Sequence, residues 1–528
     1  MCGELPLAEK STIANQFLEE TSPEFVEEVE RAREDSADLR GKSYWRDMDF
    51  QPFGGGRSLP GGINFAERMI DVEDRRKQAG RRTFLKAGGF VAASGALGSI
   101  EALVTGASTE GNKRKRARWI KTVDRPTLSE KSADYKRFSG KDIFATYIEL
   151  KTQRDGAGSF EAEQASKAKR LVAWIKERKP GFSLPDQQLS EGAWTVMRSA
   201  RPGTGLLSWT RTPVRTSTEP GAQRYTAPPE EMASTVKAAA RLYGARLVGI
   251  APMNEAYVNL QVPQEDEKQK DKDIVFEDVD VPAATDTKFV IPRKMKWVVA
   301  IAIPMDLGLL SRAPTALGDA ASALGYSHSA FVVSSLAVFI RGLGYEAIPC
   351  VNDTAQSIPF ALDAGIGELS RLNKLVTPEF GPAVRLCKVF TDLPMAYDKP
   401  VDFGLVEFCK TCKKCAEACP SRALSFDDEP SFKTKGPWNN PGHKTWFEDS
   451  YKCFEYWQKS GSACGVCLAS CPYTKGDQAW IHEAVKATAS IAPVADPVFR
   501  IMDNAFGYGK QRDPEQWWTK DSTSRRRG

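Results

Sequence analysis

Two rhythms of apolar and polar positions run through the middle of the chain. Residues 230–243 carry apolar side chains at helical spacing and end at Gly244, a residue suited to closing a helix, so the spacing predicts a helix there. Residues 247–251 then read as a short strand. Residues 297–303 (WVVAIAI) form an unbroken apolar run rich in β-branched side chains, which predicts a buried strand. Residues 329–343 predict a helix closed by Gly344, and residues 346–351 the strand that follows. Residues 264–280 are strongly charged and predict an exposed insertion. Residues 204–227, rich in Thr, Pro and Gly, predict loop. Helices and buried strands in this order give an α/β (α+β) fold class.

A chain of 528 residues can bury a large core and holds more than one structural unit. With 41% hydrophobic and 27% charged residues, it resembles neither a disordered chain nor a multi-span membrane protein. The formal net charge of +5 is small for the length and gives no argument for a nucleic-acid partner. The basic run NKRKRAR at 112–118 reads as a solvated linker. No stretch reads as a membrane-crossing helix.

Residues 81–87 read RRTFLKA, and an apolar Gly/Ala-rich run (GGFVAASGALGSI) and then small residues follow. This resembles a twin-arginine export signal. The apolar run is too short to span a bilayer, and its glycines make a poor stable helix. The signal is preceded by about eighty residues, including FLEETSPEFVEEVERARE, which read as a folded or amphipathic leader. The competing reading is an ordinary helix that begins with two arginines.

Of the eleven cysteines, eight fall between Cys409 and Cys471. Such crowding points to metal rather than to a disulfide framework. Cys409, Cys412, Cys415 and Cys419-Pro420 follow the spacing of bacterial ferredoxins. A second set, Cys453, Cys464, Cys467 and Cys471-Pro472, repeats the last three positions and displaces the first upstream. In two-cluster ferredoxins the fourth cysteine of each run binds the other cluster. The expected ligand sets are therefore Cys409, Cys412, Cys415 and Cys471 on one [4Fe–4S] cluster, and Cys419, Cys453, Cys464 and Cys467 on the other. Zinc is the alternative occupant.

A wider resemblance joins these pieces. Asn352-Asp353-Thr354, the stretch IPFALDAGIGELSRLNKLVTPEFGPAVRLCKVFTDLPM, the two-cluster module with KCFEYW between its halves, and NAFGYGKQRDPEQWW together resemble the catalytic subunit of reductive dehalogenases, from about residue 243 to residue 518. The resemblance implies a nitroreductase-like core that binds a corrinoid beside a bacterial-ferredoxin-like two-[4Fe–4S] module, and an enzyme that replaces halide by hydrogen on a small organohalide. It implies Tyr326 as proton donor, Arg385 as the cation beside it, and Asn352 as a polar pocket residue. Only His328, His443 and His482 are present, none in an Asp-x-His-x-x-Gly motif, so the corrinoid is expected to lack a histidine lower ligand.

The implied organisation is a leader with an internal export signal over 1–107, an N-terminal region and linker over 108–228, the corrinoid-binding core over 229–400, the cluster module over 401–480, and a C-terminal segment over 481–528 packing on the core. Expected partners are a membrane electron donor and a small membrane anchor protein at the periplasmic face, and no nucleic acid. The rivals are an epoxyqueuosine reductase, which acts on tRNA, and a non-catalytic electron-transfer subunit. For single side chains the plainer readings are packing for Tyr326, a surface or salt-bridge role for Arg385 and a helix cap for Asn352. His328 reads as a second proton relay or a hydrogen-bonded structural residue, and Trp446, Tyr456 and Trp457 as the wall of an apolar substrate channel or as core packing.

Overall fold

An unbroken apolar strand needs a hydrophobic layer against each face, and the run at 297–303 has both. In the computed structural model, Val298, Ala300 and Ala302 face a core shared with Ile348, Phe360 and Phe390. Val299, Ile301 and Ile303 face a second core with Val236, Val333 and Leu336. The structure describes residues 119–143, 158–210, 224–262, 271–474, 503–504 and 507–521. The twin-arginine motif, the basic run at 112–118, Cys2 and His482 lie outside the described residues. A contact division separates residues 1–118 from residues 119–528, and the description below concerns the second unit.

The elements that frame the site are, in chain order, α1 (Leu184–Arg198), α2 (Pro229–Leu242), β1 (Leu247–Pro252), β2 (Trp297–Pro304), α3 (Ala316–Gly342), β3 (Ala347–Cys350), α4 (Ser357–Asp363) and β4 (Val384–Thr391). The cysteine region adds α5 (Leu405–Cys412), α6 (Lys414–Ala418), α7 (Ser450–Ser460) and α8 (Val466–Ser470). The four strands form one antiparallel sheet in the order β1-β2-β4-β3, with Leu247 opposite Ala302, Arg385 opposite Ile303 and Lys388 opposite Cys350. Helix α4 lies so close to β1 that a Cβ added at Gly249 would stand 2.2 Å from the Ala364 carbonyl.

Two sequence expectations change. The helix expected over 329–343 begins thirteen residues earlier, at Ala316, behind a Thr315 cap whose Oγ1 accepts from Gly318 N at 3.4 Å. Its first half, ALGDAASALGYSH, is too poor in large apolar side chains to show a helical rhythm. Those small residues instead let the helix pack tightly: Ala316, Leu317, Ala320, Ala321 and Ala323 are buried. Tyr326 is therefore mid-helix, not at a helix start. By length and hydropathy α3 also passes as a membrane span, yet it is the central core helix of this unit. The second change concerns 264–280. Residues 272–277 form a strand pairing in parallel with residues 288–292, and Ile274 and Phe276 are buried between charged neighbours. Alternation at period two buries one face of a charged segment.

The segment 119–143 straps the core. Thr127 Oγ1 donates to Glu368 Oε1 at 2.5 Å, Lys131 Nζ to Tyr257 Oη at 2.8 Å, and Arg137 Nη2 to the carbonyls of Asn259 and Ile274 at 2.5 and 2.7 Å. Burial pushes the Glu368 carboxyl up to about 7 and pulls His443, edge-on to Tyr135 and Phe447, down to about 4. Their linkages have opposite sign. Glu368 favours the fold below its ordinary value of 4.5 and loses that contribution as pH rises through about 7. His443 favours it above 6.5 and loses that contribution as pH falls through about 4. Glu368→Gln should therefore unmask the His443 slope, with thermal midpoints falling more steeply below pH 6.5 than in the parent protein. An unchanged profile would show that Glu368 does not contribute.

Candidate active site

Three chain segments far apart in sequence meet around one phenol. Tyr326 projects from α3, Arg385 from β4, and Asn352 from the turn after β3. Asn352 Nδ2 donates to Tyr326 Oη at 3.0 Å. The Arg385 guanidinium carbon lies 4.7 Å from the centre of the Tyr326 ring, over its face. Tyr326 and Arg385 are half-buried and Asn352 is exposed, so the cluster opens outward.

The surroundings fix these groups. Arg385 Nη2 donates to Ser322 Oγ at 2.6 Å, one helical turn before Tyr326. Gly325 makes the approach possible: a Cβ there would stand 2.8 Å from Arg385 Cγ, near the stiff base of that side chain. Gly325→Ala should leave folding intact, because Ala suits a helix interior, and lower turnover roughly tenfold or more by displacing the cation. Turnover measured at matched cofactor content checks this. The Asn352 turn is held from below by Lys388, a fully buried lysine whose Nζ donates to the Val351 carbonyl at 2.6 Å and to Ser357 Oγ at 3.1 Å. Burial lowers its affinity for its proton.

Trp194 was not visible as a site residue in the sequence. It stacks on Tyr326 with ring centroids 5.8 Å apart and planes at 22°. Its Nε1 donates to Asp319 Oδ2 at 2.9 Å, an oxygen that also accepts from Ser190 Oγ at 2.6 Å. Only the packing of α1 on α3 brings it there, and no local motif announces it. Asn352 is not a helix cap, since α4 starts behind Gln356. His328 is exposed, and positions two apart on a helix do not share a face. Trp446 is buried, with its Nε1 donating to the Asp427 carbonyl at 3.0 Å, and is a packing residue of the cysteine region. Tyr456 and Trp457 are half-buried on α7.

Beside this cluster two loops joined by the Val258–Ala355 bridge hold polar atoms without partners. Asn259 Oδ1, Asp353 Oδ2 and Gln356 Nε2 are buried and unpaired, as is Arg385 Nε. Asp353 Oδ1 is occupied by Thr354, whose N and Oγ1 donate at 2.6 and 2.9 Å. Buried polar groups rarely stand alone, so this wall is suited to a ligand that offers both donors and acceptors.

The cysteine runs fold as two copies of one device. A left-handed residue, Lys413 (φ 49°) or Gly465 (φ 93°), precedes a five-residue helix whose second residue is Cys415 or Cys467, and each helix ends at an extended cysteine, Cys419 or Cys471, followed by proline. The first cysteine breaks the symmetry. Gly461, at φ 77°, closes α7 where the repeat expects a cysteine, and Cys453 stands two turns earlier on that helix. Cys409, Cys412, Cys415 and Cys471 line one cavity with Arg371 and Tyr473. Cys453, Cys464 and Cys467 each lie within electrostatic reach of Cys419. Among the described residues no three His, Cys, Asp or Glu side chains converge on a single ion, as a zinc ion bound at ~2.3 Å would require. Burial pushes Cys453 up to about 12 and Cys464 up to about 11, and Cys409 and Cys415 well above the ordinary thiol range. Thiolates in such a place need a metal cation among them, and this donor set fits an iron–sulfur cluster.

A core packed on both faces of one sheet carries the phenol–guanidinium cluster, and the same unit holds a pair of four-cysteine cages of the kind that iron–sulfur proteins build. Residues 408–474 match the 4Fe–4S double cluster binding domain, and residues 115–395, just over half of the chain, match the reductive dehalogenase subunit family. The chain belongs to the reductive dehalogenase family. The tetrachloroethene reductive dehalogenase of Sulfurospirillum multivorans is 42% identical over 302 residues, 56% of this chain and 60% of that protein. A solved reductive dehalogenase, described in terms of a mechanism for B12-dependent dehalogenation, is 25% identical with a TM-score of 0.55, over 76% of this chain and 51% of that one. The epoxyqueuosine reductase of Listeria monocytogenes is 27% identical over 144 residues, 27% of this chain and 36% of that protein. The matched stretch thus spans about three fifths of the curated dehalogenase's length.

Proposed function

We propose that the chain is a corrinoid- and iron–sulfur-dependent reductive dehalogenase that replaces halide by hydrogen on a small organohalide. The observation that carries this reading is the Tyr326 hydroxyl. Its oxygen accepts from Asn352 Nδ2 at 3.0 Å while a guanidinium lies over its ring, so its own hydrogen remains free to be given away. When bound, a corrinoid supplies a reduced cobalt that delivers electrons to the carbon–halogen bond, and [4Fe–4S] clusters at Cys409, Cys412, Cys415 and Cys471 and at Cys419, Cys453, Cys464 and Cys467 supply their route.

The residues supply the proton and the setting. Cleavage builds negative charge on the carbon that loses halide, and Tyr326 donates its phenolic proton there. The phenolate left behind keeps the Asn352 hydrogen bond and gains the attraction of the Arg385 guanidinium. Ser322 and Trp194 hold the cation and the ring in register. Asn259, Asp353 and Gln356 would pair with amide groups on the corrinoid rim. The reading would leave histidine out of the corrinoid's ligands; among the described residues His328 is exposed and His443 is packed against Tyr135 and Phe447.

A chlorinated alkene, the substrate named for the Sulfurospirillum relative, is the first to test. Export by the twin-arginine route, delivery of electrons from a membrane donor, and a small anchor protein belong to the same proposal. Asp353, beside Asn352, is the residue that a tRNA-modifying rival would use in place of Tyr326. Protein purified anaerobically with a corrinoid supply should release halide from one class in a panel of chlorinated alkenes and halophenols. No halide from any of them, with turnover of an epoxyqueuosine-containing stem loop, would favour the rival.

A further inference from the structure

The two cysteine cages have different electrostatic surroundings. Arg371 is 1% exposed and lines the cavity of Cys409, Cys412, Cys415 and Cys471. Its hydrogen bonds end on backbone carbonyls: Nε on Cys409 at 2.9 Å, Nη1 on Ser425 at 2.9 Å and Asp427 at 2.6 Å, and Nη2 on Lys410 at 3.3 Å. Its guanidinium carbon lies 4.9 Å from the centre of the Trp446 ring. The nearby Asp427 carboxylate accepts from Ser425 Oγ, and Asp428 is paired with Lys413. No ion pair among the described residues engages Arg371. Asp428 feels the Arg371 charge, but it is exposed and already held by Lys413. A buried cation without an ion-pair partner of its own is costly, and this one faces a thiol cage.

The other cage has a cation as well, but a cancelled one. Lys374 lies within electrostatic reach of Cys453 and Cys467. Its Nζ stands 2.5 Å from Glu448 Oε1, with side chains 41% and 19% exposed. Glu448 itself acts on Cys453 with the opposite sign to Lys374. The pair is neutral as a unit and partly wetted.

We propose that Arg371 sets the two clusters apart in reduction potential, making the cluster of Cys409, Cys412, Cys415 and Cys471 the more readily reduced. The inference rests on the ligand sets given above. Reduction adds one electron and hence one negative charge to a cluster whose ligands are already thiolates. A fixed buried cation stabilises that added charge more than a neutral, partly solvated ion pair does, and charge and solvent exposure are among the quantities that set cluster potentials. The structure therefore builds a downhill step into the module, with Arg371 acting through the cluster and not on substrate.

The test is a redox titration of the cofactor-loaded protein with titanium(III) citrate, followed by electron paramagnetic resonance. Arg371→Gln should lower one of two potentials, and Arg371→Lys should largely restore it. Glu448→Gln leaves the Lys374 charge uncompensated and should raise the other potential, so both neutralising changes narrow the gap. Because Arg371 also ties down four carbonyls, Glu448→Gln decides the matter if Arg371→Gln loses iron. An unchanged gap in Glu448→Gln, or a shift of the same cluster in both variants, would overturn the inference. Iron content and spectra showing no pair of cubane clusters would overturn the ligand sets along with it.

Discussion

Tyr326→Phe is expected to fold normally, to bind corrinoid and iron as the parent does, and to lose roughly 10²-fold or more in turnover, the scale of a positioned acid. The ring remains, so its stacking on Trp194 and the guanidinium over its face remain too. Only the hydroxyl goes. Asn352 is exposed, so its amide can turn to water once its acceptor is removed. Water would be a poor substitute donor, since a pocket wet enough to deliver protons would also expose a reduced corrinoid to wasteful proton reduction. Arg385→Leu should cost a similar factor, and the double variant little more, because the phenolate and its cation act as one unit. Near-full dehalogenation by cofactor-replete Tyr326→Phe would remove the phenol from the mechanism and direct attention to Asp353. His328, being exposed, would be the weaker substitute.

Cys453→Ala is the second large effect. The other three members of its set come from tight repeats, whereas Cys453 reaches in from α7 because Gly461 occupies the expected position. No other described cysteine can replace it: Cys350 and Cys387 are buried on β3 and β4, on opposite faces of the sheet. Iron content should fall by up to about half, or a three-iron signal should appear, because a cubane needs a ligand at every corner. Full iron and an unchanged spectrum would exclude Cys453 as a ligand and leave that cluster's fourth ligand unassigned.

Much of this was readable in the sequence, for different reasons. The buried strands announced themselves because a sheet covered on both faces needs unbroken apolar runs, as at 297–303. The cysteine cages were readable because all their members but Cys453 sit in short local repeats. Tyr326, Arg385 and Asn352 could be named only through resemblance to a family, since their meeting depends on the register of α3 against β4 and β3. What stayed hidden depends on tertiary packing. The first half of α3 is built of small residues whose rhythm is too faint to read. The strand at 272–277 hides two buried side chains among charges. Trp194 reaches Tyr326 only across the α1–α3 contact, and Arg371 owes its place to four carbonyls, two on α5 and two from residues 425–427.

Metal and corrinoid analysis of one anaerobically purified preparation tests the central reading most directly. The expected result is about eight iron and about eight sulfide per chain, as two cubane clusters require, together with a single equivalent of cobalt extractable as a corrinoid. Full iron and sulfide with no cobalt, from cells supplied with corrinoid, would contradict it and identify the chain as an electron carrier.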